Sequence, residues 1–169
     1  MVIWVLGRSS SGKTRLVTEL VPWLRENGAW VHIDGDEFRK IVGTFSSYHS
    51  LDQRLIVQQQ LQRFSVHLET QGLNVICSTL GIFPDILKNN RVIYKEYFEI
   101  FIDTPFQVAA KRDNKGLYKK AMNGELKNFA GWDLPYIQPA NSDFVLNNDD
   151  GTLFSHIVLQ TKEFLSKLI

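Results

Sequence analysis

Short apolar segments recur along the chain, and each is long enough to form one strand of a sheet. They are rich in Val, Ile and Phe and lack regular polar alternation, which is typical of strands that helices cover on both faces. The predicted strands are residues 2–6, 30–34, 74–79, 99–103 and 143–147. The pattern therefore predicts a buried sheet of five strands.

Segments with helical spacing of apolar residues separate these strands, and the predicted helices are 13–27, 51–71 and 153–168. Leu16, Leu20 and Leu24 share one face of the first helix, in which Pro22 should introduce a kink. Strands that alternate with helices pair in parallel through right-handed crossovers. The fold class predicted is therefore α/β, a three-layer α/β/α sandwich with a five-stranded parallel sheet, and ligands should bind beyond the carboxyl ends of its strands.

The composition is that of an ordinary globular protein and excludes several functional classes. With 169 residues, of which 44% are apolar and 22% charged, the chain fits one domain over residues 1–169. The net charge of +1 argues against a nucleic-acid-binding surface. The apolar run over residues 1–6 is too short for a signal peptide or membrane span, and the single Cys77 suits a reducing compartment. We therefore expect a cytoplasmic domain that binds neither nucleic acid nor membrane.

The loop after the first predicted strand carries the clearest chemistry. Its sequence, Gly-Arg-Ser-Ser-Ser-Gly-Lys-Thr at positions 7–14, fits the pattern G-x-x-x-x-G-K-[ST] and opens a predicted helix. In such a P-loop, backbone N–H groups surround phosphate oxygens, the lysine spans the β- and γ-phosphates, and the last hydroxyl is a ligand of Mg²⁺. The residues predicted to bind ATP are Gly7, Ser9, Ser10, Ser11, Gly12, Lys13 and Thr14, with Thr14 also the Mg²⁺ ligand.

An acidic cluster follows the second predicted strand. Phosphoryl transfer to an alcohol requires a carboxylate that accepts the hydroxyl proton, and cations that neutralise the phosphates of the acceptor. Asp36 is the candidate base, Asp34 its structural or Mg²⁺-water partner, and Arg39 a clamp on the acceptor. Together with Lys13 the two aspartates form the predicted catalytic set. The alternative is that both aspartates simply cap the next helix.

A basic segment at positions 112–121 is a candidate lid, extending over about residues 113–133. A mobile lid that carries positive charge excludes water and neutralises phosphates when it closes. The alternative, which the pattern alone favours slightly, is a solvated helix with charged side chains.

Four stretches together resemble the adenylylsulfate (APS) kinase family. They are the P-loop, Ile33-Asp-Gly-Asp-Glu-Phe-Arg39, Phe101-Ile-Asp-Thr-Pro105 and Arg112-Asp-Asn-Lys-Gly-Leu-Tyr-Lys-Lys-Ala121, and the similarity continues through residues 124–136. The resemblance implies a P-loop kinase that uses ATP and Mg²⁺ to phosphorylate the ribose 3′-hydroxyl of a nucleotide conjugate. It also implies that two copies of the chain can pair as a homodimer.

The resemblance further implies roles for individual residues. Asp36 becomes the base and Arg39 an acceptor contact, and the acceptor's base stacks between Phe45 and Phe129. Arg112 and Asp113 are expected beside the adenine of ATP. The remaining residues implied to contact the acceptor are Arg54, Lys115, Gly116 and Leu117.

The chain departs from the family pattern on the acceptor side. Where the family has Asp-Arg-x-x-Asn-x-Arg-Arg, this chain keeps Arg54 but has Val57, Gln59 and Gln60 at the asparagine and arginine positions. The family's Ile-Ser-Pro is replaced by Leu-Gly-Ile at positions 80–82. Because charge-assisted hydrogen bonds contribute about 1.5–3 kcal/mol each, these losses indicate a changed acceptor tail. The departures resemble a divergent branch similar to cytidine diphosphoramidate kinase, which acts in capsular polysaccharide modification.

Two other functions remain open from the sequence. One is a P-loop kinase for a non-nucleotide alcohol, which would lack an aromatic acceptor pocket. The other is a nucleotide-binding module without transfer activity, in which Asp36 would point away from the γ-phosphate.

Overall fold

The structure is a computed structural model that describes residues 1–43 and 50–169. Its strands are β1 (Val2–Leu6), β2 (Trp30–Asp34), β3 (Asn74–Thr79), β4 (Tyr97–Asp103) and β5 (Phe144–Asn147). Its helices are α1 (Lys13–Glu26), α2 (Gly35–Ile41), α3 (Leu51–Thr70), α4 (Pro84–Ile93), α5 (Phe106–Arg112), α6 (Leu117–Met122) and α7 (Phe154–Leu165). Within these described ranges, no helix is both long and apolar enough to cross a bilayer.

The strands form one parallel sheet in the order β2-β3-β1-β4-β5. The register pairs Leu6 with Thr79 and Asp34 with Ser78. The carboxyl ends of β1, β2 and β3 therefore meet at one edge of the sheet, and the loops that follow them converge there. The predicted five-stranded parallel sheet is confirmed.

Side chains of β1 alternate between two separate hydrophobic cores. Ile3 and Val5 pack with the buried leucines of α1 and with α7 on one face. Trp4 and Leu6 pack against α3 and α4 on the other face. All five β1 residues are fully buried, which explains why their sequence shows no polar alternation. Helices on both faces of the sheet confirm the three-layer architecture.

The predicted element boundaries need small corrections. Strand β4 begins two residues earlier than expected, at Tyr97, because the predicted start at Glu99 left out a buried tyrosine. Helix α1 runs unbroken through Pro22 from Lys13 to Glu26, and a kink there stays a prediction. Helices α4 and α5 were not predicted, and α2 and α6 lie where the sequence offered a helix only as an alternative; none of the four is longer than ten residues.

Gly81, in the loop after β3, has a backbone conformation that excludes larger residues. Its φ is +68°, and an added Cβ would lie 2.8 Å from Cδ2 of Leu6. Leu6 is fully buried, and the close packing of protein interiors leaves such a side chain little room to move. The family's serine at this position would therefore require a different path of the loop.

We expect Gly81→Ala to lower the free energy of unfolding by about 2–4 kcal/mol, through left-handed strain plus overpacking against Leu6. Gly72→Ala is the matched control, because Gly72 also has positive φ (+80°) but nothing within 4 Å of an added Cβ. The control should lose only about 1–2 kcal/mol. Equal losses in denaturant-induced unfolding of the two variants would contradict the steric account.

Candidate active site

The P-loop connects β1 to α1, and its path requires glycine at two positions. A Cβ at Gly7 would lie 2.6 Å from Ser11 Oγ and 2.9 Å from Ile102 O, so only glycine fits there. Gly12 has a φ of +95° and directly precedes α1. Asn148 Nδ2 donates to Ser11 O at 2.8 Å and ties the loop to the segment after β5. The result is a backbone cradle at a helix N-terminus, which suits anion binding.

Lys13 extends along the inside of this loop. Its Nζ donates to the backbone oxygen of Arg8 at 2.7 Å. Burial and the nearby charge of Lys115 lower the pKa of Lys13 to about 7, although Asp34 raises it. The lysine therefore changes its charge readily when an anion arrives.

The Asp34 carboxylate joins three parts of the site. Its Oδ2 accepts hydrogen bonds from Thr14 Oγ1 at 2.6 Å and from Ser78 Oγ at 2.8 Å. Its Oδ1 accepts from the backbone N–H groups of Asp36 at 2.8 Å and Glu37 at 3.3 Å, and so caps α2. Partial burial raises the pKa of Asp34, but the hydrogen bonds from Thr14, Ser78 and the Glu37 N–H, together with the charge of Lys115, hold the pKa below its ordinary value. Asp34 therefore both caps α2 and binds the Thr14 hydroxyl of the P-loop.

Asp36 lies in the first turn of α2 and is held by two cations. One carboxylate oxygen pairs with Arg39 on the same helix, and the other pairs with Lys115 from the candidate lid. The Asp36 side chain keeps 44% of its surface exposed, so a hydroxyl can still reach it.

A cavity of about 540 Å³ links the P-loop to Asp36. The predicted site residues that line it are Ser9, Ser10, Gly12, Lys13, Thr14, Asp34, Asp36, Arg39, Arg54, Lys115, Leu117 and Phe129. Five others lie outside its lining, namely Gly7, Ser11, Arg112, Asp113 and Gly116. Phe45 lies outside the described residues, so its predicted stacking with Phe129 stays a prediction.

The residues predicted to contact adenine lie beside the loop that follows β5. Arg112 Nη2 donates to Asp149 O at 2.8 Å. Asp113 accepts from the backbone N–H groups of Tyr118 at 3.1 Å and Lys119 at 3.0 Å, and thereby holds the start of α6. Contact of either residue with adenine stays a prediction.

The candidate lid contains a helix, and its small hydrophobic core also includes Ala109 of α5. Tyr118, Ala121, Leu126 and Phe129 are buried together. The lid is tied to the P-loop by Tyr118 OH, which donates to Ser9 O at 2.9 Å, and to α3 by Arg54 Nη2, which donates to Asn128 O at 2.8 Å. The lysines of α6 are exposed, as the alternative of a solvated charged helix required, whereas Lys115 reaches the cavity.

The three residues of α3 that differ from the family pattern do not line the cavity, although the sequence placed them on the acceptor side. Val57 belongs to the hydrophobic core, and Gln59 and Gln60 do not line the cavity. Gln58 instead is buried and bonds to Thr79, which does line it. Other residues that line the cavity but were not predicted from the sequence are Arg15, Gly35, Lys40, Ser78, Leu80, Asn114, Leu126 and Ala130. The positions of Ser78 and Thr79 at the carboxyl end of a predicted strand were the available signal.

Known proteins share this fold and this sequence pattern. The family model for adenylylsulphate kinase matches residues 1–147. A cytidine diphosphoramidate kinase from Campylobacter jejuni is 35% identical over 150 residues, which cover 87% of this chain and 85% of that protein. A probable adenylyl-sulfate kinase from Aeropyrum pernix is 33% identical over 158 residues, which cover 90% of this chain and 86% of that protein.

A solved structure agrees with these relatives. The Mycobacterium tuberculosis APS kinase CysC, in complex with AMPPNP and APS, superposes with a TM-score of 0.84 at 28% identity, covering 98% of this chain and 96% of that one. The match to the family model and the identity to the relatives extend over most of the sequence. This chain therefore belongs to the adenylylsulfate kinase family of P-loop kinases.

Proposed function

We propose that this kinase transfers the γ-phosphoryl group of ATP to the ribose 3′-hydroxyl of a nucleotide conjugate, either cytidine diphosphoramidate or adenosine 5′-phosphosulfate. One observation carries the proposal: a single cavity is lined by the P-loop residues Lys13 and Thr14 and by the carboxylate of Asp36. A phosphate donor and an alcohol acceptor can therefore meet in one cavity.

The donor side of the cavity suits a nucleoside triphosphate. A P-loop binds phosphate oxygens through its backbone N–H groups, and Lys13 would release the Arg8 carbonyl to pair with the β- and γ-phosphates. The oxygen donors Thr14 Oγ1 and Asp34 Oδ2, 2.6 Å apart, fit Mg²⁺, which Thr14 would bind directly and Asp34 through water. The ion, when bound, would neutralise charge on the phosphates during transfer.

The acceptor side supplies the base. Asp36 accepts the proton of the 3′-hydroxyl as the oxygen forms a bond to the γ-phosphorus and the bond to the β,γ-bridging oxygen breaks, which releases ADP. Arg39 and Lys115 now pair with Asp36, and both can turn to phosphate oxygens when substrates enter. The carboxylate would then be free to bind the hydroxyl.

The choice of a nucleotide conjugate as acceptor rests on two features. Phe129 of the candidate lid and Arg54 of α3 line the cavity and offer a ring for stacking and a cation for phosphate. The relatives named above are kinases of cytidine diphosphoramidate and adenylyl sulfate. Assembly as a homodimer, a role in capsular polysaccharide modification, cytoplasmic location and a lid that moves stay predictions.

The direct test is an ATP-consumption assay with each of the two conjugates, together with simple nucleotides and sugars as alternative acceptors. We expect turnover with one or both conjugates and a product that carries a new 3′-phosphate, identified by ³¹P NMR. Turnover of a non-nucleotide alcohol alone would refute the nucleotide-acceptor proposal. ATP binding without transfer to any acceptor would indicate a binding module.

We expect Asp36→Asn to lower kcat by a factor on the order of 10²–10⁴, because the amide cannot accept the hydroxyl proton. The dissociation constant for ATP, measured by calorimetry, should change little. Asp52→Asn is the control, since Asp52 is an exposed acid in the first turn of α3. A kcat for Asp36→Asn equal to that of the control would exclude Asp36 as the base.

ATP binding should take up a proton at a pH of about 8.5, because Lys13 is neutral in the free loop above a pKa of about 7 and charged beside phosphates. Below a pH of about 6 the lysine is already charged in the free enzyme, so the uptake should vanish. Calorimetry in buffers of different ionisation enthalpy measures the number of protons taken up when ATP binds. Lys13→Met should abolish the uptake, and uptake that persists in this variant would assign the proton to another group.

A further inference from the structure

A buried hydroxyl at the carboxyl end of β3 has an unused hydrogen-bond donor. Thr79 is 4% exposed and lines the cavity. Its Oγ1 accepts a hydrogen bond from Gln58 Nε2 at 2.5 Å. Among the residues that the structure describes, no group accepts the hydrogen of the Thr79 hydroxyl. Buried donors without partners are costly, so this one indicates a ligand atom in the cavity.

Gln58 determines which way the Thr79 hydroxyl acts. The amide nitrogen of Gln58 can only donate, so it occupies a lone pair of Thr79 Oγ1 and leaves the hydroxyl hydrogen available. Gln58 is itself buried on α3 and has little freedom to turn. The pair therefore presents a donor, rather than an acceptor, to the cavity.

The pair lies on the acceptor side of the cavity. Gln58 follows Arg54 by one helical turn, so both side chains project from the same face of α3. Arg54 bonds the carbonyl oxygen of Asn128, next to Phe129. On its other side Thr79 Oγ1 would lie 3.4 Å from a Cβ at Gly35, the residue before Asp36. Thr79 is thus placed between the base and the arginine that we assign to the acceptor.

We propose that Thr79 donates a hydrogen bond to an oxygen atom of the bound acceptor, and that Gln58 is the positioning residue that orients it. The proposal rests on the proposed function, because it concerns recognition of the same nucleotide conjugate. It makes Thr79 a specificity-determining residue for the acceptor and gives it no part in binding ATP.

Steady-state kinetics of Thr79→Val, with adenosine 5′-phosphosulfate and cytidine diphosphoramidate as probes, tests the contact. Loss of the donor should raise the acceptor KM about tenfold and leave the ATP KM unchanged. Thr79→Ser keeps the hydroxyl and should restore the acceptor KM. Thr161→Val is the matched control, because Thr161 is a buried threonine on α7 that bonds within its own helix.

Gln58→Glu tests the direction of the hydrogen bond. A carboxylate has no donor in its ionised form, so it must accept from the Thr79 hydroxyl and turn the hydrogen away from the cavity. The acceptor KM should rise as in Thr79→Val. The double variant Gln58→Glu/Thr79→Val should have an acceptor KM no higher than that of either single variant. Gln62→Glu is the control one turn along α3, since Gln62 bonds to Asn90 and Ile86 rather than to a cavity residue.

The outcomes separate this inference from the proposed function. If the wild-type chain neither binds nor phosphorylates either probe, the proposed function fails and this inference fails with it. If the wild type turns over a probe and folded Thr79→Val has an unchanged acceptor KM, this inference alone is overturned. An equal rise in the ATP and acceptor KM values would also overturn it, because a purely structural role affects both substrates.

Discussion

The hydrogen bonds of the Asp34 carboxylate hold the candidate site together. One oxygen binds the hydroxyls of Thr14 and Ser78, and the other caps α2. Charge-assisted bonds of this kind are worth about 1.5–3 kcal/mol each. Because Asp36 follows two residues later on α2, the position of the candidate base relative to the P-loop depends on this one side chain. The low pKa of Asp34 keeps it ionised and able to accept these bonds at neutral pH.

The cavity is lined by side chains of both charges. Arg39, Arg54 and Lys115 bring positive charge to a space that also contains two carboxylates, and Lys13 adds to that charge when it is protonated. Arg39 and Lys115 both pair with Asp36. Phosphate groups are the stronger competitors for these cations, so substrate binding and release of the base are coupled. The cavity is thus organised to accept anions on both sides of a shared carboxylate.

The sequence predicted the sheet well because its strands are buried on both faces and read as continuous apolar runs. It also singled out Lys13, Thr14, Asp34 and Asp36, which line one cavity in the structure, because each stands at a strand end or in a motif with fixed spacing. It did not predict the buried contact between Gln58 and Thr79, because a glutamine on a helix is ordinarily exposed and its burial depends on the tertiary packing of α3 against β3. The substitutions that stood out in comparison with the family, Gln59 and Gln60, lie outside the cavity lining.

The central claim is that a triphosphate in the P-loop and an alcohol at Asp36 share one cavity. A crystal structure with a non-hydrolysable ATP analogue and the acceptor tests it most directly. The account predicts a carboxylate oxygen of Asp36 within hydrogen-bond distance of the ribose 3′-hydroxyl, with that hydroxyl in line with the γ-phosphorus. An acceptor bound elsewhere, or an Asp36 that stays paired with Arg39 and Lys115 while the hydroxyl contacts another base, would contradict it.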